Sequence, residues 1–500
     1  MSFFSTRGRA YATASQAILA GIAPDGGLYV PAMFPRMELK DLAALVGMSY
    51  PQRATQILRQ FLDDFRPAEI EEMTRKAYGE RFDTPAVAPL HRIDGSTWAL
   101  ELFHGPTLAF KDMALQLLPY LMAASARKNS ENREISILVA TSGDTGKAAL
   151  EGFRDVPGTS CTVFYPKDGV SDIQRLQMVT TGGENTRVIA VEGNFDDAQT
   201  GVKALFSDEG FREKMAEQGR VLSSANSINF GRLVPQIVYY FSAYADLVAS
   251  GAIQQGESVN FAVPTGNFGD ILAGFYAREM GLPVHKLICA SNRNNVLTDF
   301  FRTGLYSTHR VFFKTISPSM DILVSSNLER LLYEAADRDG ELIALWMRQL
   351  KENGSYAVDQ QRLEWLSDIF FAGCADDKET RREIRDMFRQ TGYLIDPHTA
   401  VAGAALGEYR RNTGDNRPAV IVSTASPYKF AADVLSALEE GEDSPSRDAF
   451  ACARTLEART GYPMPPQVLA LREQPIRHTR VCAKDPAAMA EAVLEPSQSA

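Results

Sequence analysis

The string His104-Gly105-Pro106-Thr107-Leu108-Ala109-Phe110-Lys111-Asp112 sets a primary amine among apolar residues. An amine attacks an aldehyde only when unprotonated, and neighbours such as Leu108, Ala109 and Phe110 disfavour the ammonium form by desolvation. That is the chemistry of a covalently carried aldehyde cofactor. Most lysines are solvated surface charges, so Lys111 alone establishes nothing. Its context lies downstream, in the turns Thr141-Ser142-Gly143-Asp144-Thr145-Gly146, Pro264-Thr265-Gly266-Asn267-Phe268-Gly269-Asp270 and Thr424-Ala425-Ser426-Pro427.

Each turn follows a strand-like run, and the first two precede helix-like segments. In an open parallel sheet such turns lie at the carboxyl ends of strands and present unpaired backbone N–H groups at a helix N-terminus, so they could converge on one anionic ligand. A structural reading stands beside this one, because glycine permits a tight turn and Ser, Thr, Asn and Asp are ordinary helix caps. Neither glycine string closes as Gly-Lys-Ser/Thr, since Lys147 precedes Ala148, and neither is Gly-x-Gly-x-x-Gly. Nucleoside triphosphate and nicotinamide readings are therefore weak. The cluster from Ser223 to Arg232 gathers amides and hydroxyls ahead of an arginine whose fork suits a carboxylate or phosphate. It reads equally well as a polar loop with Arg232 a surface charge.

The elements that must position these residues fall into three stretches. Residues 1 to about 95 carry helical patterns such as Leu42 to Val46 and Gln56 to Phe65, with no strand series. From about 96 to 295, runs at Ile135–Ala140, Thr162–Tyr165, Arg187–Val191, Val259–Val263 and Lys286–Ala290 alternate with helical segments, which predicts an α/β fold with a mostly parallel sheet and helices on both faces. From about 320 to 395 the pattern is helical, with Leu328, Leu331, Leu332 and Ala335 on one face, and the run Ala419–Ser423 returns to the sheet. The stretch Glu439 to Asp448 reads as a solvated loop and Pro496 to Ala500 as a frayed tail.

At 500 residues, 45% hydrophobic and 23% charged, the chain is expected to form two or three ordinary globular domains. Its net charge of −10 argues against nucleic acid as a partner. The five dispersed cysteines disfavour a disulfide framework and a zinc site, so no metal is expected. No apolar run has membrane-spanning length. The first 24 residues hold Arg7 and Arg9 and no acid, as a transit peptide would, but Pro24-Asp25-Gly26-Gly27 followed by Leu28-Tyr29-Val30 reads as the start of the folded body. A cytoplasmic protein is expected.

Together these strings resemble the threonine synthases, pyridoxal phosphate enzymes of the tryptophan-synthase-β fold type, fold type II. The resemblance covers most of the chain and rests on Gly21-Ile22-Ala23-Pro24-Asp25-Gly26-Gly27-Leu28-Tyr29-Val30-Pro31, the Lys111 string, both glycine turns, Gly193-Asn194-Phe195-Asp196-Asp197, Asn226 to Arg232, Asp396-Pro397-His398-Thr399-Ala400 and Ser423-Thr424-Ala425. The N-terminal extension and helical insert resemble the longer microbial and fungal branch. The resemblance implies an N-terminal mainly helical domain over 1–95 and a catalytic region over 96–500. The latter would divide into a small lobe at about 130–245 and a large lobe from 96–129 and 246–500, with the insert at about 320–395.

The cofactor implied is pyridoxal 5'-phosphate, carried covalently by Lys111, which would also shuttle protons. Gly266, Asn267, Phe268 and Gly269 would hold its phosphate, and the Thr424 hydroxyl would meet its pyridine nitrogen. Asp144 stands where related enzymes place an Asn near its 3′-oxygen. Thr141, Ser142 and Thr145 would contact the substrate or cofactor face, and Asn226, Ser227 and Arg232 would bind the substrate's phosphate and carboxylate. The reaction implied converts O-phospho-L-homoserine and water to L-threonine and phosphate by β,γ-replacement, in a monomer or homodimer. Two alternatives remain: a phospho-lyase giving 2-oxobutyrate from the same substrate, and a catalytically silent cofactor-binding protein. His104 and His398 read as structural, Asp112 and Asp196-Asp197 as helix starts, and Ser426 stands where many members carry histidine.

Overall fold

The run Val259–Pro264 is buried at every position, and so is Ala419–Ser423, the pattern of strands covered on both faces. In the computed structural model, which describes residues 1–141, 143–170, 172–439 and 448–495, they are the centre of a six-stranded sheet. Its order is Phe370–Cys374, Val284–Ser291, Val259–Pro264, Ala419–Ser423, Thr97–Glu101 and Leu90–Arg92, parallel except for the last. A second, five-stranded sheet is parallel throughout, ordered Val481–Ala483, Thr186–Glu192, Thr159–Pro166, Glu134–Ala140 and Arg220–Ser223. Helices pack against both sheets, giving the expected α/β class.

Every run expected to be a strand is one, and the structure adds others. Phe370–Cys374 lies inside the stretch read as helical and follows directly on the helix Gln360–Ile369. Its Phe-Phe-Ala-Gly-Cys has neither alternation nor β-branched residues to announce it. The N-terminal region is likewise not helical alone, because Tyr11–Ala12, Phe3–Ser5 and Tyr29–Pro31 form an antiparallel sheet. Strands this short leave no periodic signal. The Asp25 carboxylate builds the turn into Tyr29–Pro31 by accepting from the Gly27 N–H at 2.9 Å and the Ser5 hydroxyl at 2.6 Å. The stretch from 440 to 447 and the tail from 496 lie outside the described residues. No helix among the described residues is long and apolar enough to cross a membrane.

The N-terminal region packs on the long helix Phe230–Ala249, whose first residue stacks edgewise on Phe3 with ring centroids 4.5 Å apart. Arg53 pins the far end of that helix through Asp246 at 2.7 Å and the Ser242 hydroxyl at 2.8 Å. A second arginine ties these parts to the glycine turn at Gly266. Arg330 is fully buried and donates to the Tyr29 carbonyl at 3.0 Å, the Ile228 carbonyl at 2.6 Å and the Asn327 Oδ1 at 2.5 Å. Asn327 in turn donates its backbone N–H and side-chain amide to the Asn267 carbonyl at 3.0 and 3.1 Å. Burial pushes the Arg330 guanidinium down to about 10. Removing it would strand buried acceptors on separate segments. Arg330→Leu is therefore expected to lower unfolding stability in a urea titration by roughly 2–5 kcal/mol; an unchanged midpoint would show that Arg330 ties nothing together.

Candidate active site

The chain leaving Thr97–Glu101 is stitched to the chain leaving Ala419–Ser423. The Phe110 N–H donates to the Thr424 carbonyl at 2.8 Å, and the Ser426 N–H donates to the Leu108 carbonyl at 3.0 Å. This places Lys111, the first residue of the short helix Lys111–Leu115, beside the buried Thr424. Asp112 stands in the first turn of that helix, as expected. It is wholly buried and accepts from the Thr107 N–H at 2.8 Å and the Thr107 hydroxyl at 2.9 Å, closing the loop ahead of Lys111, and burial pushes its carboxyl up to about 6.

The Lys111 side chain is 13% exposed, with Nζ 3.6 Å from Asp144 Oδ2 and 3.4 Å from Ser319 Oγ. Burial lowers its pKa from the ordinary lysine value; Asp144 opposes that shift, while Lys429 and Arg232 add to it. Asp144 opens the helix Asp144–Phe153 after Gly143, whose φ of +144° and contact with Gln174, 2.4 Å from where a Cβ would stand, exclude a side chain there. The Asp144 Oδ1 lies 2.9 Å from Lys429 Nζ and accepts from the Gln174 amide at 3.2 Å. Burial works against this carboxylate, but Lys429 and Lys111 outweigh it and lower its pKa. Thr141 Oγ1 accepts from the N–H groups of Gly143 and Gly146, both at 3.0 Å, which leaves its O–H free to donate. Thr145 is half-buried beside them, and Ser142 lies outside the described residues.

The glycine turn at Gly266 is packed to contact. A Cβ on Gly266 would lie 2.8 Å from the Ser319 carbonyl oxygen, so Ser319 crosses directly over the turn. Phe268 adopts a left-handed φ of +65°, held by its buried ring against Phe301 and Phe370 at 6.0 and 5.9 Å. The helix Gly269–Glu279 that follows has no side-chain cap, so its N-terminal N–H groups face a ligand position. Asn267 is exposed at the tip.

Arg232 is no surface charge. It is 4% exposed, donates to the Ala225 carbonyl at 2.6 Å, and holds a buried Nε without a partner. Burial alone pushes its guanidinium down to about 10, and no carboxylate among the described residues balances it. Such a group calls for an anion. Asn226 is exposed and Ser227 half-buried at the start of the same cluster, while Asn229 caps the helix by accepting from the Gly231 N–H at 2.8 Å. The Arg232 helix is locked to the helix Gly269–Glu279 by Tyr239, whose one O–H donates to Asp270 at 2.6 Å, while within its own helix Gln236 donates to the Arg232 carbonyl at 2.6 Å.

Two participants were not legible as site residues. Lys429, with a fully enclosed side chain, donates to the Thr107 carbonyl at 2.8 Å as well as pairing with Asp144. Its position in the Ser426-Pro427-Tyr428-Lys429 turn, a lysine in apolar company, is the same signal that singles out Lys111. Ser319 sits on the short turn Pro318–Met320 and carries no motif. Its N–H donates to His398 Nε2 at 3.2 Å, so His398 must protonate Nδ1 and donate to Asp396, 2.6 Å away. Asp396 also caps the helix Pro397–Thr413. The Asp396-Pro397-His398-Thr399 string thus starts a helix and holds Ser319 over Lys111.

A ligand that brought an aldehyde to Lys111 would find donors for a phosphate at the uncapped helix Gly269–Glu279, a hydroxyl at Thr424 and a charged pair at Asp144 and Lys429. That donor set fits pyridoxal 5'-phosphate, and the molecule is a pyridoxal-phosphate-dependent enzyme of fold type II. Residues 2–78 match the family "Threonine synthase N terminus", 82–360 "Pyridoxal-phosphate dependent enzyme" and 399–493 "Threonine synthase, C-terminal". The threonine synthase of Pseudomonas aeruginosa is 44% identical over 439 residues, 87% of this chain and 90% of that protein. Human threonine synthase-like 1 is 42% identical, and the match spans 85% of this chain but only 58% of the human protein. Among solved structures, pyridoxal-phosphate-bound threonine synthase from Brucella melitensis superposes with a TM-score of 0.87 at 37% identity, covering all of both chains. The yeast enzyme gives 0.89 at 33%, covering 99% of this chain and 98% of that one. The chain belongs to the threonine synthase family.

The loop that carries Lys111 has its own electrostatic anchor. His104 contacts Asp83 through Nδ1 at 2.6 Å and Glu101 through Nε2 at 2.8 Å. Against the opposing cost of burial, these carboxylates raise it from 6.5 to about 9. A raised folded-state value means that the stabilisation is complete below 6.5 and is lost as pH rises through about 9. His104→Asn is expected to flatten the fall of melting temperature across that window relative to wild type, and an identical slope in both proteins would rule the anchor out.

Proposed function

We propose that this chain catalyses the last step of threonine biosynthesis, converting O-phospho-L-homoserine and water to L-threonine and phosphate. The observation that carries the reading is Arg232, a buried guanidinium with an unfilled donor, whose charge reaches Lys111. A site that combines a carrier amine with a separate anion donor suits a substrate that brings a phosphate of its own.

Pyridoxal 5'-phosphate, when bound, supplies an electron sink that acidifies the carbon beside the substrate's amine. Lys111 would carry it, and its amine, once free, would move protons at Cα and then at Cβ, handing on the first before it takes the second, with phosphate expelled from Cγ as the Cβ proton leaves. The backbone N–H groups of Gly266, Asn267, Phe268 and Gly269 would hold the cofactor phosphate, the Thr424 hydroxyl would meet the pyridine nitrogen, and Asp144 would stand near the 3′-oxygen. Thr141, Ser142 and Thr145 would contact the substrate or cofactor face; the O–H that Thr141 has left to donate suits a carboxylate. Asn226, Ser227 and Arg232 take the substrate's phosphate and carboxylate, and Arg232 steadies the departing dianion. Return of the two protons at Cγ and Cα and addition of water at Cβ, its remaining proton going to the departing phosphate, would complete threonine. Buried, free cysteines such as Cys161 and Cys289 support a reducing, cytoplasmic setting, and the protein would act as a monomer or homodimer.

Incubation with O-phospho-L-homoserine, with threonine, 2-oxobutyrate and phosphate assayed separately, is expected to yield threonine and phosphate together. Phosphate with 2-oxobutyrate alone would replace the synthase by a phospho-lyase, and no phosphate would leave a cofactor-binding protein. Arg232→Ala should cut kcat/KM by roughly a hundredfold, about 3 kcal/mol of lost anion stabilisation, with cofactor affinity little changed. Equal loss of cofactor and substrate binding would contradict the role given to Arg232.

A further inference from the structure

Two lysines and one carboxylate meet in the enclosed centre of the site, and their hydrogen bonds are unequal. Lys429 Nζ has three acceptors, the Thr107 carbonyl at 2.8 Å, Asp144 Oδ1 at 2.9 Å and Gln177 Oε1 at 3.4 Å. An ammonium has three N–H groups to satisfy, and here all have partners. Among the described residues, Lys111 Nζ meets Ser319 Oγ at 3.4 Å and Asp144 Oδ2 at 3.6 Å. The acceptor on Thr107 is itself fixed, because Asp112 takes the N–H and hydroxyl of that residue. One carboxylate therefore faces two cations and is committed to the nearer. We propose that Lys429 is a positioning residue that claims Asp144 as its own counter-ion and thereby leaves Lys111 as the amine without a proton when the cofactor aldehyde arrives.

The charged groups facing Lys111 account for the direction. Asp144 on the helix Asp144–Phe153 is the carboxylate that acts most strongly on it among the described residues, and Lys429 and Arg232 add positive charge from two further segments. Were Lys429 neutral, Asp144 would be free to swing to Lys111 and hold it as an ammonium. The inference rests on the reading that Lys111 carries the cofactor, and the two can fail separately.

The test uses the full-length chain stripped of cofactor and mixed with pyridoxal 5'-phosphate across a pH series, following the rate of covalent capture. Borohydride reduction and peptide mass spectrometry locate the adduct. An adduct anywhere but Lys111 would refute the carrier reading itself; with the adduct on Lys111, the pH midpoint of capture decides the inference. Lys429→Met is expected to raise that midpoint by about one pH unit, which slows capture at a fixed lower pH about tenfold. Lys429→Arg should restore the wild-type profile. The double variant Lys429→Met with Asp144→Asn, which removes both charges, should return the midpoint close to wild type, whereas a merely structural Lys429 would leave it displaced. If Lys429→Met does not fold, Asp144→Asn alone serves, with the sign reversed: capture should become faster at low pH. An unmoved midpoint in either single variant overturns the proposal.

Discussion

Burying like charges together is what the rest of this site must accommodate. Lys111, Lys429 and Arg232 share an enclosed space with Asp144, and one carboxylate cannot neutralise three cations. Each buried ion costs several kcal/mol unless paired and hydrogen-bonded, so the arrangement holds together only if the charges are unequal in their support. Arg232 cannot shed its proton at any ordinary pH and waits for an anion from a ligand. Lys429 is satisfied on all sides. The group left able to relieve the excess is Lys111, and relief there means the neutral amine that carrying an aldehyde requires.

Assembling that imbalance takes segments from across the chain. Lys111 follows the strand Thr97–Glu101 and Lys429 the strand Ala419–Ser423, neighbours in the six-stranded sheet. Asp144 begins a helix that follows Glu134–Ala140 of the five-stranded sheet, so its ion pair with Lys429 spans the two sheets. Arg232 arrives on the long helix that the N-terminal region covers. Arg330 binds the N-terminal strand and the segment leading into this helix directly, and the turn at Gly266 through Asn327, so three remote parts of the chain share one reference point. The carboxyl-end location of the turns supplies the convergence, and buried arginines and tyrosines supply the rigidity.

How much of this could be read beforehand follows the range of the interactions involved. Strand, turn and helix in succession is a local pattern, which is why the runs before Thr141, Gly266 and Thr424 and the α/β class were legible. Arg232 could be read two ways, since the burial of an arginine is decided by what packs over it from elsewhere. Lys429, Ser319 and Arg330 were invisible as participants, their meaning lying in partners scores of residues away. The N-terminal strands were too short for periodicity, and Phe370–Cys374 lacks alternation and β-branched residues. Asp112 was legible as a first-turn carboxylate but not as the acceptor that closes the Thr107 loop, a use that shows only once that loop is folded.

The Asp at 144, where the resemblance to related enzymes implies an Asn, acquires a reason from its partner. An amide there would leave Lys429 as a buried cation with no counter-charge, which is far costlier than the pair. A carboxylate there without Lys429 would hold Lys111 as an ammonium and oppose cofactor capture. The two residues are therefore one unit in physical terms, a charged pair whose members are each costly without the other. An ionised Asp144 differs from an amide in one respect that survives the pairing: it can only accept hydrogen bonds. Any group it faces must bring the proton, so the pair sets the direction of the hydrogen bond as well as the charge beside Lys111.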